Sequence, residues 1–314
     1  MALPMERVSR GAFNCISKRF TRPAIYPPRY LHGSKHKSTT TTTDNSTKPP
    51  FNPEQPIKFT QPPDPTWTLG DGASIPKNAA QSNKAHISIN PSDPTRASSK
   101  NYKFLISSIV PRPIALISTK SKSSSGADLN LAPFSYFQVI NHDPPMFVVS
   151  FIATTQHSGT ASRNPKSQKD TLRNLQETGE CVINIVSEHM LQAANATSVN
   201  AEFGESEFDI SGLTPQYDTG VGVPRVLESI VSIEGKLLET REFESRANPN
   251  DSKRGKTTLA IIEGTRFWVR EDAIDATKLD KVDLNVLRPV SRLGGNGYGR
   301  TTEVVEIERP VYRS

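Results

Sequence analysis

The sequence predicts a mainly β domain, a barrel or sandwich with a few inserted helices, behind an N-terminal region that does not fold compactly. Three observations carry this. Short runs rich in β-branched and aromatic residues recur from about Tyr102 to the C-terminal end, and few segments keep a long helical period. Many of the 25 prolines crowd into the first third of the 314-residue chain. Eight of the 38 basic residues, but only one of the 32 acids, lie before Asp44, so the +6 net charge belongs to the leader.

The leader, residues 1–37, is arginine-rich and nearly free of acid, and Phe13, Ile16 and Phe20 are spaced to share a helix face. That is the composition of an organellar import signal, and a mitochondrial matrix location is expected, with a cytoplasmic one as the alternative. Arg29-Tyr30-Leu31 resembles a processing-protease context. Residues 38–100 read as a disordered Pro/Ser/Thr-rich connector, whose prolines cannot build a core or a ladder of backbone bonds. The folded domain is expected over 101–314.

Its elements follow in order. Ile114–Thr119 and Leu129–Phe137 flank a Ser/Gly stretch and read as a hairpin. Met146–Ile152, Cys181–Val186, Val231–Leu238, Thr258–Val269 and Thr302–Ile307 are further strands, and Asp143-Pro-Pro145 is a turn that puts His142 in a loop. One helix is marked by the capping-box spacing Ser167-Gln-Lys-Asp170, by Leu172 and Leu175, and by a stop at Gly179. A second runs from Glu188 to about Thr197, with Met190, Leu191 and Ala194 inward.

Charge and spacing argue against several function classes. From Asp44 onward the chain is close to neutral, without the basic footprint that binds nucleic acid. No apolar run approaches the roughly 18–20 residues that span a bilayer. The histidines show no tight metal-ligand spacing, and there is no G-x-S-x-G elbow. Cys181, in a strand-like run, reads as a small core residue rather than a catalytic thiol.

Four constellations remain. In Val110-Pro-Arg-Pro-Ile114 the flanking prolines fix Arg112, which either serves a phosphate or carboxylate or is a surface arginine in a rigid turn. In Asn130-Leu-Ala-Pro-Phe-Ser-Tyr-Phe137 the proline should interrupt the ladder. The segment is then either an edge strand with a bulge or a strand whose freed backbone groups read a flat heterocycle. Lys169-Asp170-Thr171 opens a helix, so it is either an anion site or a cap alone. Gly294-Gly-Asn-Gly-Tyr-Gly299 lacks the strand-before, helix-after setting of a dinucleotide loop.

Taken together, "YKFLISSIVPRPIALIST", "NLAPFSYFQVINHDPP", "KDTLRNLQETGECVINIV" and "LRPVSRLGGNGYG" resemble the flavin-reductase-like, FMN-binding split-barrel family that includes flavoredoxin. The resemblance implies a Greek-key split β-barrel that forms a homodimer and binds FMN. It implies that Thr119, Asn130, Leu131, Ala132 and Ser135 line the flavin, and that Lys169, Asp170 and Thr171 lie at or near its phosphate, with Arg112 and Arg163 as further candidates. Arg292 and Tyr298 would approach from the C-terminal segment. The chain departs from compact members in its leader and around Ala201–Asp209 and Ala247–Lys256. The implied activity is that of an FMN-dependent oxidoreductase using NAD(P)H as donor, without a dedicated acid–base dyad. The alternative is an electron-relay module that takes electrons from a protein partner and does not turn over nicotinamide.

Overall fold

The computed structural model describes residues 47–73, 84–122, 129–152, 168–202, 204–246 and 256–312. The segment 1–37, Ser167 and Arg163 lie outside the described residues, as does nearly all of the stretch Ala247–Lys256. The chain from Asn52 onward is one unit.

Seven strands make one antiparallel sheet: β1 (Ala115–Lys120), β2 (Leu129–Phe134), β3 (Phe137–His142), β4 (Pro145–Ile152), β5 (Glu180–Ile185), β6 (Val231–Glu244) and β7 (Lys256–Val269). Across the sheet they run β2-β1-β5-β6-β7-β4-β3. The two edges are therefore β2 and β3, yet only Ser135 and Tyr136 separate them in the chain. Laid flat, those edges would be roughly 29 Å apart at the usual strand spacing. Three Cα–Cα steps reach at most about 11 Å. The sheet has to curl until its edges meet at that corner. No ladder joins β2 to β3 among the described residues, so the barrel is split along that seam.

The expected hairpin is present as β1 and β2, with Thr119 opposite Asn130 and Ile117 opposite Ala132. Two boundaries differ. The run expected to continue to Phe137 stops at Phe134, turns the corner and begins β3. His142, expected in a loop, ends β3, and Asp143-Pro144 turns the chain into β4. Pro133 does not interrupt the ladder, contrary to expectation; it pairs in register with Leu116. Direction explains this. Leu131 turns its N–H away from β1, onto Glu207. Residues two apart along a strand point the same way, so the missing N–H of Pro133 falls on the open side and costs no ladder bond.

Alternation along β1 sorts the core into two layers. Ala115 and Ile117 face the barrel interior with Phe147, Val149, Leu175, Cys181 and Ile183. Ile114, Leu116 and Leu131 face outward, under a second layer that includes Met190, Ala194 and Phe208. Inside, Phe134 of β2 meets Phe151 of β4 edge to face at 4.8 Å, a contact across the seam. Burial, aided by the neighbouring Glu180 charge, pushes the Cys181 thiol up to about 12, which suits a packing residue.

Helix α1 (Ser98–Ser108) buries only Ile106, so no apolar stripe announces it in a sequence expected to become regular near Tyr102. Helix α2 (Asp170–Thr178) sets Leu172 and Leu175 into the barrel, and Gly179 ends it at φ +74°, as expected. Its N-cap is Lys169, with no side-chain cap, rather than Ser167. The second expected helix is a 3-10 turn, Glu188–Met190, running into α3 (Leu191–Ala196); Met190 and Ala194 are buried and Leu191 half-buried. Helix α4 (Glu207–Ser211) is capped by Ser206 Oγ, which accepts from Phe208 N at 3.3 Å.

The Pro-rich stretch is not bare of ladder bonds. Lys58–Thr60 pairs in parallel with Glu303–Val305. Arg288 donates to Gln55 O at 3.1 Å and Arg300 to Asn52 O at 2.9 Å, while Glu188 binds both guanidinium groups. A small sheet of Arg112–Pro113, Val290–Arg292 and Tyr298–Arg300 ties the C-terminal segment to the start of the barrel.

Gly235 of β6 sits at a register shift, where a Cβ would come 2.6 Å from Ile262 Cγ2 and 3.2 Å from Cys181 Sγ. Gly235→Ala is expected to destabilise the fold by about 1–3 kcal/mol. Urea unfolding reads this, and an unchanged midpoint would mean that the shift absorbs a methyl without strain.

Candidate functional site

The open edge of β2 brings two groups of residues together. On the interior face of the strand, Asn130 is the centre of a buried polar chain. Its Oδ1 accepts from Thr171 Oγ1 at 2.6 Å, and its Nδ2 donates to Glu207 Oε2 at 2.9 Å. The same Glu207 oxygen accepts from Leu131 N at 2.9 Å. Thr119 lies 3.5 Å from Asn130 Oδ1 and accepts from Asn174 Nδ2 at 3.3 Å. Thr119, Asn130, Thr171, Asn174 and Glu207 are all buried. Asn174 Oδ1 is a buried acceptor without a partner.

Physical chemistry accounts for the burial of so many polar groups. Each donor left unmade in an apolar setting costs about 1–3 kcal/mol, and here strand, helix and loop supply partners to one another. Burial pushes the Glu207 carboxyl above the usual carboxylate range, and the Asp170 charge adds to that. The N–H groups of Leu131 and of Glu207 itself, with the Asn130 amide, act in the opposite direction.

On the other face, a cavity of about 170 Å³ is lined by Ile114, Pro133, Ser135, Val186, Leu191, Ala194, Asn195, Ser198, Arg292 and Tyr298. Tyr298 closes across it, donating its hydroxyl to Asn195 Oδ1 at 2.7 Å. The Arg292 guanidinium lies 4.4 Å from the Tyr298 ring centroid and donates to Gly297 O at 3.0 Å. Gly295 takes φ +58° in the tight turn between these two residues, a conformation that favours glycine.

At the N-terminal end of α2, the N-cap residue Lys169 is half-buried and its side chain makes no capping hydrogen bond. Asp170 pairs with Arg173 one turn on.

The candidate residues therefore fall into distinct places. Thr119, Asn130 and Thr171 meet directly, and Leu131 joins them through its N–H alone, its side chain lying in the outer core. The Thr171 hydroxyl is turned inward to Asn130 rather than outward. Ser135, Arg292 and Tyr298 meet around the cavity. Ala132 is half-buried between the two groups on β2. Lys169 and Asp170 sit at the start of α2. Arg112 belongs to neither group: Nη1 donates to Ile106 O and Ile109 O, both at 2.7 Å, and Nη2 to Leu293 O at 3.1 Å. It braces the end of α1 against the C-terminal segment and is buried there rather than lying at the surface. The residues that sequence reasoning missed are Glu207, Asn174 and Asn195. Glu207 lies in a stretch that reads as an insert, and nothing in its neighbours signals a buried carboxylate.

Comparison with known proteins follows from this geometry. Residues 107–282 match the flavin reductase like domain. The chain belongs to that family. Nitrilotriacetate monooxygenase component B from Bacillus cereus is 31% identical, with a TM-score of 0.61, covering 71% of this chain and all of the other. The 2-nitrobenzoate 2-nitroreductase NbaA of Pseudomonas fluorescens is 27% identical, with a TM-score of 0.58, covering 73% of this chain and 98% of the other. A putative flavin reductase with a split barrel domain from Shewanella frigidimarina is 23% identical, with a TM-score of 0.53, over 70% of this chain and 95% of the other, and shares the fold. The split barrel derived from strand order is thus a flavin-reductase-like one.

The raised position of Glu207 has a sign. A carboxyl whose folded value is raised contributes stability that is present below its unfolded value and lost as pH rises through the folded value. Relative to Glu207→Gln, which does not titrate, the wild type is expected to lose stability from acid to neutral pH. Unfolding curves of both proteins across that range check it; a gap that does not change with pH would remove the assignment.

Proposed function

We propose that this chain is an FMN-binding oxidoreductase that takes electrons from a reduced nicotinamide and passes them to a flavin or another acceptor. Membership of the flavin-reductase-like family supports the reading, and so does the place of two similar proteins, a monooxygenase component and a nitroreductase, among oxidoreductases by name. The observation that carries it is the edge strand β2, set between the start of α2 and a cavity that Tyr298 closes.

The residues present fit FMN. The first turn of α2 offers its N–H groups with Lys169 at the N-cap position, and an anion is favoured there. Asp170 opposes an anion, but Arg173 pairs with its charge. On the outward side of β2 the Leu131 N–H is taken by Glu207 and Pro133 has none, so this edge would meet a flat ring mainly with main-chain carbonyl oxygens. Ser135, Arg292 and Tyr298 would stand at the ring's side of that edge.

When bound, FMN supplies a ring that accepts hydride and releases electrons singly or in pairs. The chain's own residues bind, orient and exclude water. Lys169 neutralises the phosphate end. Tyr298, held by Asn195, covers the cavity, and Arg292 places a positive charge against it. A nicotinamide needs no separate nucleotide-binding domain, because it can stack on a flavin directly.

The purified full chain, supplied with FMN, is expected to show visible flavin absorption, to sediment as a homodimer, and to consume NADH or NADPH in the presence of free flavin. Absence of bound flavin and of nicotinamide consumption would sink the reading. Flavin bound and reduced by dithionite, but by neither nicotinamide, would replace it with a relay role. We further propose that residues 1–37 direct mitochondrial import, on their charge alone. A fluorescent reporter fused to them is expected in mitochondria, and a cytosolic reporter overturns this.

A further inference from the structure

We propose that Glu207 is a positioning residue for the phosphate end of the flavin site, acting through Asn130 and Thr171. The inference rests on the FMN reading above and adds a residue to it.

The geometry runs in one direction. Glu207 is 6% exposed, and one oxygen, Oε2, receives both the Leu131 N–H and the Asn130 Nδ2 at 2.9 Å. A carboxylate offers only acceptors, so it fixes which end of the Asn130 amide faces it. The amide nitrogen must point to Glu207, and Oδ1 is left to face Thr171. There it takes the Thr171 hydroxyl proton at 2.6 Å. Thr171 is the second residue of α2, in the first turn, where the reading above puts the FMN phosphate. Glu207 thereby tethers the first turn of α2 to the edge strand through Asn130.

The tether is anchored from behind. Phe208, next to Glu207, is 2% exposed and packs with Leu131, Met190 and Ala194. Ser206 caps the short helix. Helix α4 therefore cannot drift without emptying the outer core. A carboxylate kept in so dry a place, against the desolvation that raises its proton affinity, is costly unless its bonds orient something. Asn174, one turn along α2 from Thr171, has a buried Oδ1 with no partner among the described residues.

The test titrates the full chain with FMN and with riboflavin, which lacks the phosphate. The variants are Glu207→Ala, Glu207→Gln, Thr171→Val, and the double variant of Glu207→Ala with Thr171→Val. Glu207→Ala and Thr171→Val are each expected to weaken FMN by roughly tenfold, as loss of a supporting partner does elsewhere. For Thr171→Val riboflavin affinity stays within about twofold, because the phosphate end alone is disturbed; for Glu207→Ala, which also frees the Leu131 N–H, the loss of FMN exceeds the loss of riboflavin. Glu207→Gln keeps most of the preference for FMN, since its amide oxygen can accept both bonds. The double variant loses no more than the weaker single, because both act on one chain of contacts. Equal losses for the two ligands, or unchanged FMN affinity, overturn the proposal. Should Glu207→Ala fail to fold, Thr171→Val decides alone from the far end of the chain. A wild-type protein that binds neither flavin overturns the FMN reading itself, an outcome that no variant is needed to recognise.

Discussion

Two residues, Ser135 and Tyr136, set the shape of this protein. They join the first and last strands of a seven-stranded sheet, and a link that short cannot cross a flat sheet. The sheet therefore closes, and because the joined strands share no ladder it closes with a seam. Everything else is arranged about that seam. Phe134 and Phe151 pack across it from inside, Ser150 donates to Tyr136 O at the corner, and α2 plugs the interior with Leu172 and Leu175. The unpaired edge of β2 is a consequence of closure.

An unpaired edge is a liability as well as an opportunity, since its free N–H and C=O groups invite another strand. The chain manages it in two ways. Pro133 removes a donor on the open side, and α4 lies along the edge with Glu207 on the Leu131 N–H. What remains open is short and chemically defined. This is where the polar chain and the cavity meet.

Much of the barrel could be read in the sequence because its signals are local. The β1–β2 hairpin, β4, β5 and the stop at Gly179 rest on residue type and period within a few positions. What could not be read depends on tertiary partners. Helix α1 buries one residue and has no stripe; the short strand Lys58–Thr60 exists only because Glu303–Val305 lies beside it. Pro133 was legible as an edge residue, but its direction was set by the register with β1. In the site, Asn130 and Thr171 carried a recognisable pattern, whereas Glu207 comes from 76 positions beyond Leu131 and is placed by Phe208 burying itself in the outer core. Arg112 stood out for the right reason, a guanidinium held rigid by two prolines, yet rigidity served three carbonyls.

Strand alternation explains why one short edge can serve two kinds of contact. Asn130, Ala132 and Phe134 face the interior and α2, while Leu131, Pro133 and Ser135 face the outer layer and the cavity. A ligand with a charged end and a flat ring, laid along such an edge, meets polar groups on one side and aromatic and apolar ones on the other without any change in the backbone. On the function proposed above, substrate range would change from the cavity side, through α3 and the Gly-rich turn before Tyr298, while the polar side is held by buried hydrogen bonds that tolerate little substitution. That asymmetry is a physical basis on which one split barrel could keep a single cofactor and serve different acceptors.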